Sequence, residues 1–165
     1  MKNFNTIYLS IILLSTSLLA DNKLYSFIGI QAGSSFVESN SIPSIALKYG
    51  KQSRNTRTTI SYAYADKSNV SYQTLISQVD MGILTNSFRN SSVKPYGGFS
   101  FGVMQEQNKV NSITDRGYLY GLNTGLTYIF NDALDFDLGY RYLQTSKLEN
   151  IDSLSDLTLS MHYFY

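Results

Sequence analysis

The C-terminal residues 157–165, LTLSMHYFY, carry large and small side chains in alternation. Successive residues of a β-strand point to opposite faces of the sheet, so this segment has one bulky apolar face and one small or polar face. A strand of this kind, with aromatic residues at its end, is typical of chains that place one face against lipid and the other toward a polar lumen. The predicted lipid-facing residues are Leu157, Leu159, Met161, Tyr163 and Tyr165, and the predicted inward residues are Asp156, Thr158, Ser160 and His162.

Seven earlier stretches of the chain show the same alternation, and polar turn residues separate them. Most of them approach the roughly 9–11 residues that a tilted strand needs to cross a bilayer. An even number of strands lets the sheet close with both ends of the chain on one side of the membrane. We therefore predict an all-β fold, an eight-stranded antiparallel up-and-down transmembrane β-barrel that forms a single domain. The earlier stretches are residues 24–33, 43–50, 56–65, 71–84, 94–104, 117–130 and 134–145.

The distribution of bulky residues distinguishes a membrane barrel from a soluble one. A soluble barrel packs its large apolar side chains inside and exposes its charges. In the stretch 117–130, Tyr118 and Tyr120 alternate with small residues such as Gly121, and the other stretches divide in a similar way. A face of glycines, serines and charges cannot form a dry core. We therefore predict that this face lines a narrow lumen and that the bulky face contacts lipid.

The segments between the strands alternate between the two ends of the predicted barrel. One set is rich in Ser, Asn, Lys and Asp, as expected of loops that face water. The longest loop in that outward set is residues 105–116. The predicted periplasmic turns are residues 51–55, 85–93 and 131–133, and the predicted outward loops are residues 35–42, 66–70, 105–116 and 146–153.

The N-terminal residues 1–20 have the pattern of a secretory signal peptide. Lys2 precedes a stretch rich in Ile and Leu, and Ala20 supplies a small residue before a polar segment. The apolar stretch is short for a transmembrane helix. We therefore predict cleavage after Ala20, which leaves residues 21–165 as the mature outer-membrane barrel domain.

Charge and cysteine content restrict the partners and the source of stability. The net charge is +1, and no block of basic residues is available to neutralise phosphates, so a nucleic-acid partner is not expected. The chain has no cysteine, so disulfides cannot hold it together. A closed ladder of backbone hydrogen bonds in lipid would stabilise it instead. With 14 tyrosines and no tryptophan, we expect tyrosines at the membrane interfaces.

Three stretches resemble strands of the small outer-membrane β-barrel family that includes the OmpA membrane domain, OmpX and the opacity-type proteins. KPYGGFSFGV at residues 94–103 is similar to the family's Pro-Tyr entry with spaced glycines, and LDFDLGYRYL at residues 134–143 is similar to its penultimate strand. GLNTGLTYIF at residues 121–130 fits the strand before that one. The resemblance implies a bacterial outer-membrane location in contact with lipid. It also implies assembly machinery that reads the C-terminal strand, although this chain ends in Tyr165 where the family usually has Phe.

Several charged residues fall on the predicted inward face. The interior of an eight-stranded barrel is just wide enough for its own side chains, and charges buried there are costly unless they are paired. We therefore predict that an ion-pair network plugs the lumen, or lines a constriction if the lumen conducts. The inward set is Lys48, Arg57, Asp80, Asp135, Asp137, Arg141, Asp156 and His162, and the predicted network is formed by Lys48, Asp80, Asp137, Arg141 and His162.

Catalytic and metal-binding sites have little support in the sequence. His162 is the only histidine, and Asp137 on the neighbouring strand is predicted to be its nearest carboxylate. A hydrolytic site would also need a nucleophile within hydrogen-bond reach, so a structural hydrogen bond explains this pair better. One histidine and scattered aspartates lack the spacing of metal ligands. The sequence predicts no catalytic residue, no metal site and no cofactor.

The sequence leaves three functions open for the predicted monomer. The first is a structural role in the outer membrane, with short loops presented outside and the lumen plugged. The second is a narrow, low-conductance pore for ions or very small solutes, lined by Lys48, Asp80, Asp137 and Arg141. The third is surface adhesion or recognition through the outward loops, chiefly residues 105–116.

Overall fold

The chain folds into one closed β-barrel. The computed structural model describes residues 24–37, 40–53, 56–67, 70–82, 90–110, 113–148 and 151–165. The strands are β1 (Tyr25–Val37), β2 (Asn40–Gln52), β3 (Thr56–Lys67), β4 (Val70–Met81), β5 (Val93–Asn108), β6 (Thr114–Asn131), β7 (Leu134–Ser146) and β8 (Ser153–Phe164). The predicted signal peptide, and residues 83–84 of the predicted fourth strand, lie outside the described residues. In the described part of the chain, no helix is long and apolar enough to cross a membrane.

The order and pairing of the strands confirm the predicted fold class. Each strand pairs with its neighbours in sequence, and β1 pairs antiparallel with β8 to close the barrel. Closure leaves no unpaired sheet edge, which a strand-built membrane protein requires. Because the strand number is even, the start of β1 and the end of β8 lie at one end, which we call the terminal end. The opposite end, where β1 passes to β2, is the distal end.

The outer face carries an apolar belt between two girdles of tyrosines. In residues 156–165, every residue predicted to face lipid is exposed and every residue predicted to face inward is buried. Ile45 and Leu47 of β2 are 66% and 67% exposed. A continuous belt of such side chains suits lipid and not water. The terminal girdle is Tyr25, Tyr49, Tyr128, Tyr163 and Tyr165, and the distal girdle is Tyr62, Tyr64, Tyr118, Tyr120 and Tyr142.

The strands extend further toward the distal end than the sequence predicted. The predicted outward loop 35–42 is wrong, because β1 and β2 leave only residues 38–39 between them. The predicted loop 105–116 is wrong for the same reason, since only residues 109–113 lie between β5 and β6. Polar residues in these segments suggested loops, but the backbone hydrogen bonds of a sheet do not depend on side-chain polarity. Strand ends that lie beyond the lipid tolerate polar side chains.

Inward-facing glycines allow neighbouring strands to approach closely. A Cβ added at Gly98 of β5 would collide with the carbonyl oxygen of Val79 on β4, whereas a Cβ added at the adjacent Gly97 would meet its nearest atom at 3.9 Å. We expect Gly98→Ala to lower the yield of folded barrel sharply, because overpacking of this kind costs about 1–3 kcal/mol or more. Gly97→Ala is the matched control and should fold normally. Equal shifts between boiled and unboiled samples of both variants on a detergent gel would contradict this prediction.

Candidate functional site in the barrel lumen

Two layers of side chains with opposite character line the lumen. From the terminal end to the middle, the buried inward side chains are mostly polar or charged, and we call them the polar layer. Toward the distal end they are mostly apolar, and Tyr72 and Leu148 pack against the apolar ones. The sequence analysis did not predict this second layer. The distal apolar cluster is Val37, Ile42, Ala65, Ile76, Met104, Leu119, Leu143, Ile151 and Leu154.

The formal charges of the polar layer balance. Buried charges are costly unless opposite charges compensate them, and here four basic side chains face four carboxylates, none more than 9% exposed. The inward titratable residues predicted from the sequence are all buried, and Lys94 is a further cation that the sequence analysis missed. The basic residues are Lys48, Arg57, Lys94 and Arg141, and the acidic residues are Asp80, Asp135, Asp137 and Asp156.

Arg57 is the centre of the ion pairs near the terminal end. Its Nη2 lies 2.7 Å from Asp135 Oδ2, and its Nη1 lies 3.3 Å from Asp137 Oδ2. Its Nε donates a hydrogen bond to Gln52 Oε1 at 2.7 Å. A planar guanidinium presents five N–H donors, which lets it bind two carboxylates at once. Because Arg57 belongs to β3 and both aspartates belong to β7, these contacts join opposite walls of the barrel.

The structure pairs the predicted residues differently from the sequence analysis. His162 Nδ1 lies 2.7 Å from Asp135 Oδ1, so the prediction that Asp137 is the nearest carboxylate to His162 is wrong. The reason is the register of β7 on β8, which sets Asp135 directly opposite His162. Asp137 instead contacts Arg57 and accepts a hydrogen bond from the Tyr96 hydroxyl at 2.9 Å. Strand register cannot be read from alternation alone.

A second ion pair lies nearer the distal end. Arg141 Nε and Nη2 lie 3.0 and 2.5 Å from Asp156 Oδ2, and the two residues are direct partners in the β7–β8 register. The other carboxylate oxygen, Asp156 Oδ1, is buried without a hydrogen-bond partner among the described residues. A cavity of about 20 Å³ lies between this pair and the distal apolar cluster, which is room for a single water molecule.

Asp80 and Lys48 are held by neutral polar groups. Asp80 Oδ1 accepts hydrogen bonds from the side-chain amides of Gln78 at 2.9 Å and Asn123 at 2.5 Å. Lys48 Nζ donates to Ser160 Oγ at 3.1 Å. A cavity of about 10 Å³ lies beside Lys48, Gln78 and Asn123. The five residues of the predicted network thus share one layer, but each contacts partners outside that set of five.

His162 is fully buried beside the ion pairs of the terminal end. Its Nδ1 is paired with Asp135, and its Nε2 is buried with no hydrogen-bond partner in the described residues. The imidazole ring packs on Phe27, with the ring centroids 4.8 Å apart. A catalytic base needs its nucleophile or substrate within hydrogen-bond reach. Among the described residues, no group of three or more His, Cys, Asp or Glu could hold a metal ion.

These features define a class of protein: a closed barrel with an apolar belt, tyrosine girdles and polar side chains buried in the lumen, suited to span a bilayer. Residues 4–163 match the family model described as the outer membrane protein beta-barrel domain, and the chain belongs to that family. It is a bacterial outer-membrane protein and is embedded in the lipid of that membrane.

Solved structures with low sequence identity share this fold. Neisserial surface protein A is 17% identical, with a TM-score of 0.68 over 86% of this chain and 97% of that chain. Ail, the attachment invasion locus protein of Yersinia pestis, is 17% identical, with a TM-score of 0.51 over 87% and 99% of the two chains. The outer membrane enzyme PagL is 13% identical, with a TM-score of 0.53 over 83% and 98%. At these identities the likeness shows the fold alone. No curated protein sequence matches the chain.

Proposed function

We propose that this protein is a closed, non-conducting barrel that has a structural role in the outer membrane. The observation that carries the proposal is the two-layer filling of the lumen. Two cavities of the lumen, of about 20 and 10 Å³, have room for only about one water molecule each. The larger cavity borders the distal apolar cluster, and an apolar constriction of this kind excludes ions because it dewets.

The ion pairs support the same role. Arg57 links β3 to β7 across the lumen, and Arg141 links β7 to β8. In a barrel this narrow, these paired charges hold the walls together. We propose that Lys48, Asp80, Asp137, Arg141 and His162 act in this plug together with Arg57, Asp135 and Asp156.

A strain that lacks the protein tests the structural role. We expect its outer membrane to become more permeable to detergents and large antibiotics, and the wild-type gene to restore resistance. A gene with Val110→Ser and Ile113→Ser should restore it equally well, because these residues lie outside the strands. Unchanged permeability in the deletion strain would contradict the structural role.

Surface recognition is the second candidate. Val110 and Ile113 flank the turn between β5 and β6 at the distal end, and they are 67% and 62% exposed. Exposed apolar side chains at a loop tip suit contact with another surface. Ail, the attachment invasion locus protein of Yersinia pestis, shares the fold. If the Val110→Ser and Ile113→Ser variant assembles normally but fails to restore resistance to detergents and large antibiotics, recognition through this turn explains the function better than a structural role.

Targeting and assembly complete the proposal. We propose that residues 1–20 are removed as a signal peptide and that the mature barrel, residues 21–165, functions as a monomer without enzymatic activity. The outward face of β8 would be the signal that the outer-membrane assembly machinery reads. Tyr165 is 68% exposed, and its backbone N–H donates to the carbonyl oxygen of Ser26. The residues of this assembly signal are Leu157, Leu159, Met161, Tyr163 and Tyr165.

A further inference from the structure

A groove on the outer face of the barrel lies at the distal edge of the apolar belt. It crosses β4, β5 and β6, and its volume of about 540 Å³ is within the range of small-molecule sites. The groove opens toward the surface that faces lipid, and the inward-facing residues Thr74, Met104 and Gly117 form its floor. Its lining includes Tyr62, Gln73, Leu75, Val103, Gln105, Arg116, Tyr118 and Lys147.

Two adjacent rungs of the sheet form the centre of this groove. Leu75, Val103 and Tyr118 are register partners across β4, β5 and β6, and they form an apolar rung. The next rung toward the distal end is polar and consists of Gln73, Gln105 and Arg116. A change from apolar to polar side chains over one rung marks the boundary between the hydrocarbon and headgroup regions of a bilayer.

The polar rung is held in place by hydrogen bonds. Arg116 Nε donates to Gln105 Oε1 at 2.9 Å, and the Tyr62 hydroxyl donates to Gln73 Oε1 at 3.0 Å. The first of these contacts uses only one of the five N–H donors of the guanidinium. Arg116 is therefore oriented by its neighbour and can still bind an anion through its other N–H groups.

A second cation lies on the same groove. Lys147 Nζ is 5.3 Å from the centre of the Tyr118 ring. Neither Lys147 nor Arg116 forms an ion pair with a carboxylate among the described residues, whereas Lys109 nearby is paired with Asp66 at 2.6 Å. Two cations that have no carboxylate partner among the described residues, and that lie at the headgroup level, attract anionic lipid headgroups.

We propose that this groove binds a phosphorylated lipid of the outer leaflet. Arg116 and Lys147 contact the phosphate, and an acyl chain lies over Leu75 and Val103. An arginine can bind two phosphate oxygens at once, while a lysine acts as a point charge. The apolar rung below them selects a lipid over a free phosphate ion. This site lies on the outer wall, so it is independent of whether the lumen is closed.

The test uses the wild-type protein purified from outer membranes in detergent. Native mass spectrometry measures the affinity for lipid A that carries two phosphates and for the same lipid after both phosphates are removed. We expect the wild type to prefer the phosphorylated lipid, and the double variant Arg116→Gln, Lys147→Gln to bind it at least ~tenfold more weakly, since charge-assisted hydrogen bonds are lost.

The matched control is the double variant Lys51→Gln, Lys67→Gln, which removes the same charge from exposed sites outside the groove. It should bind the phosphorylated lipid as the wild type does. Equal weakening in both double variants would show a general charge effect and overturn the proposal. Equal affinity of the wild type for the two lipids would also overturn it. The gel shift on boiling verifies that each variant is folded.

Discussion

Replacement of Arg57 with methionine is expected to lower the free energy of unfolding by about 3–5 kcal/mol. Methionine keeps most of the length of the side chain but removes the charge, which leaves Asp135 and Asp137 buried without their shared cation. Because the chain has no tryptophan, denaturant unfolding in lipid vesicles is followed by circular dichroism. The exposed residue Lys51 offers a control, since Lys51→Met should change stability by less than about 0.5 kcal/mol.

A compensating variant separates the loss of charge balance from the loss of packing. Addition of Asp135→Asn and Asp137→Asn to Arg57→Met removes the uncompensated carboxylates. We expect this triple variant to regain more than half of the lost stability, because a buried ion pair replaced as a whole costs little. A triple variant that is less stable than Arg57→Met alone would mean that the aspartates are compensated elsewhere in the lumen, and that Arg57 is not the centre of the plug.

Removal of Arg141 alone is expected to leave the barrel closed to ions. Arg141→Ala enlarges the cavity beside Asp156, but the distal apolar cluster remains intact. When Met104→Ser and Leu143→Ser are added, both layers are opened, and we expect ion flux into liposomes that contain the protein to rise above that of protein-free liposomes.

The double variant Met104→Ser, Leu143→Ser is the control for this second prediction. It retains the polar layer and should remain closed. This result would show that ion flux requires changes in both layers. If Arg141→Ala alone conducted, the distal apolar cluster would not be a barrier. If the variant with all three substitutions stayed closed while folded, a barrier other than these two layers would be present.

The faces of the strands could be predicted because lipid and lumen impose opposite demands on alternate residues. In β8, the lipid side takes Leu159 and Met161, while the lumen side takes Ser160 and His162, and the structure confirms this division. The prediction of which face a residue occupies needs only the two-residue period of the strand, and it does not need the neighbouring strands to be known. Strand ends were harder to predict, because above the lipid the outer face no longer has to be apolar.

The distal apolar cluster was missed although the sequence carries a signal for it. Near the distal end of most strands, one large aliphatic residue interrupts the small and polar inward face. Together these residues meet in the lumen and form a layer that resembles the core of a soluble barrel. The interrupting residues are Val37, Ile42, Ile76, Met104, Leu119, Leu143 and Leu154.

The partners of the lumen charges could not be predicted. Residue counting placed charges at approximate heights, but partners depend on strand register and on the stagger of the closed barrel. His162 faces Asp135 because β7 and β8 pair in one register, and a shift of two residues would have matched it with Asp137. The contact of Arg57 with β7 joins strands on opposite sides of the lumen, so no analysis of adjacent strands reveals it.

The central claim is that two layers of side chains close the lumen. Single-channel recording of the wild-type protein in a planar bilayer tests this claim most directly. Insertion is verified separately by the gel shift on boiling. The two layers predict a flat current trace at moderate voltages, with no unitary steps. Steady steps of one reproducible size from the wild-type protein would contradict the closed barrel and would favour a narrow pore lined by Lys48, Asp80, Asp137 and Arg141.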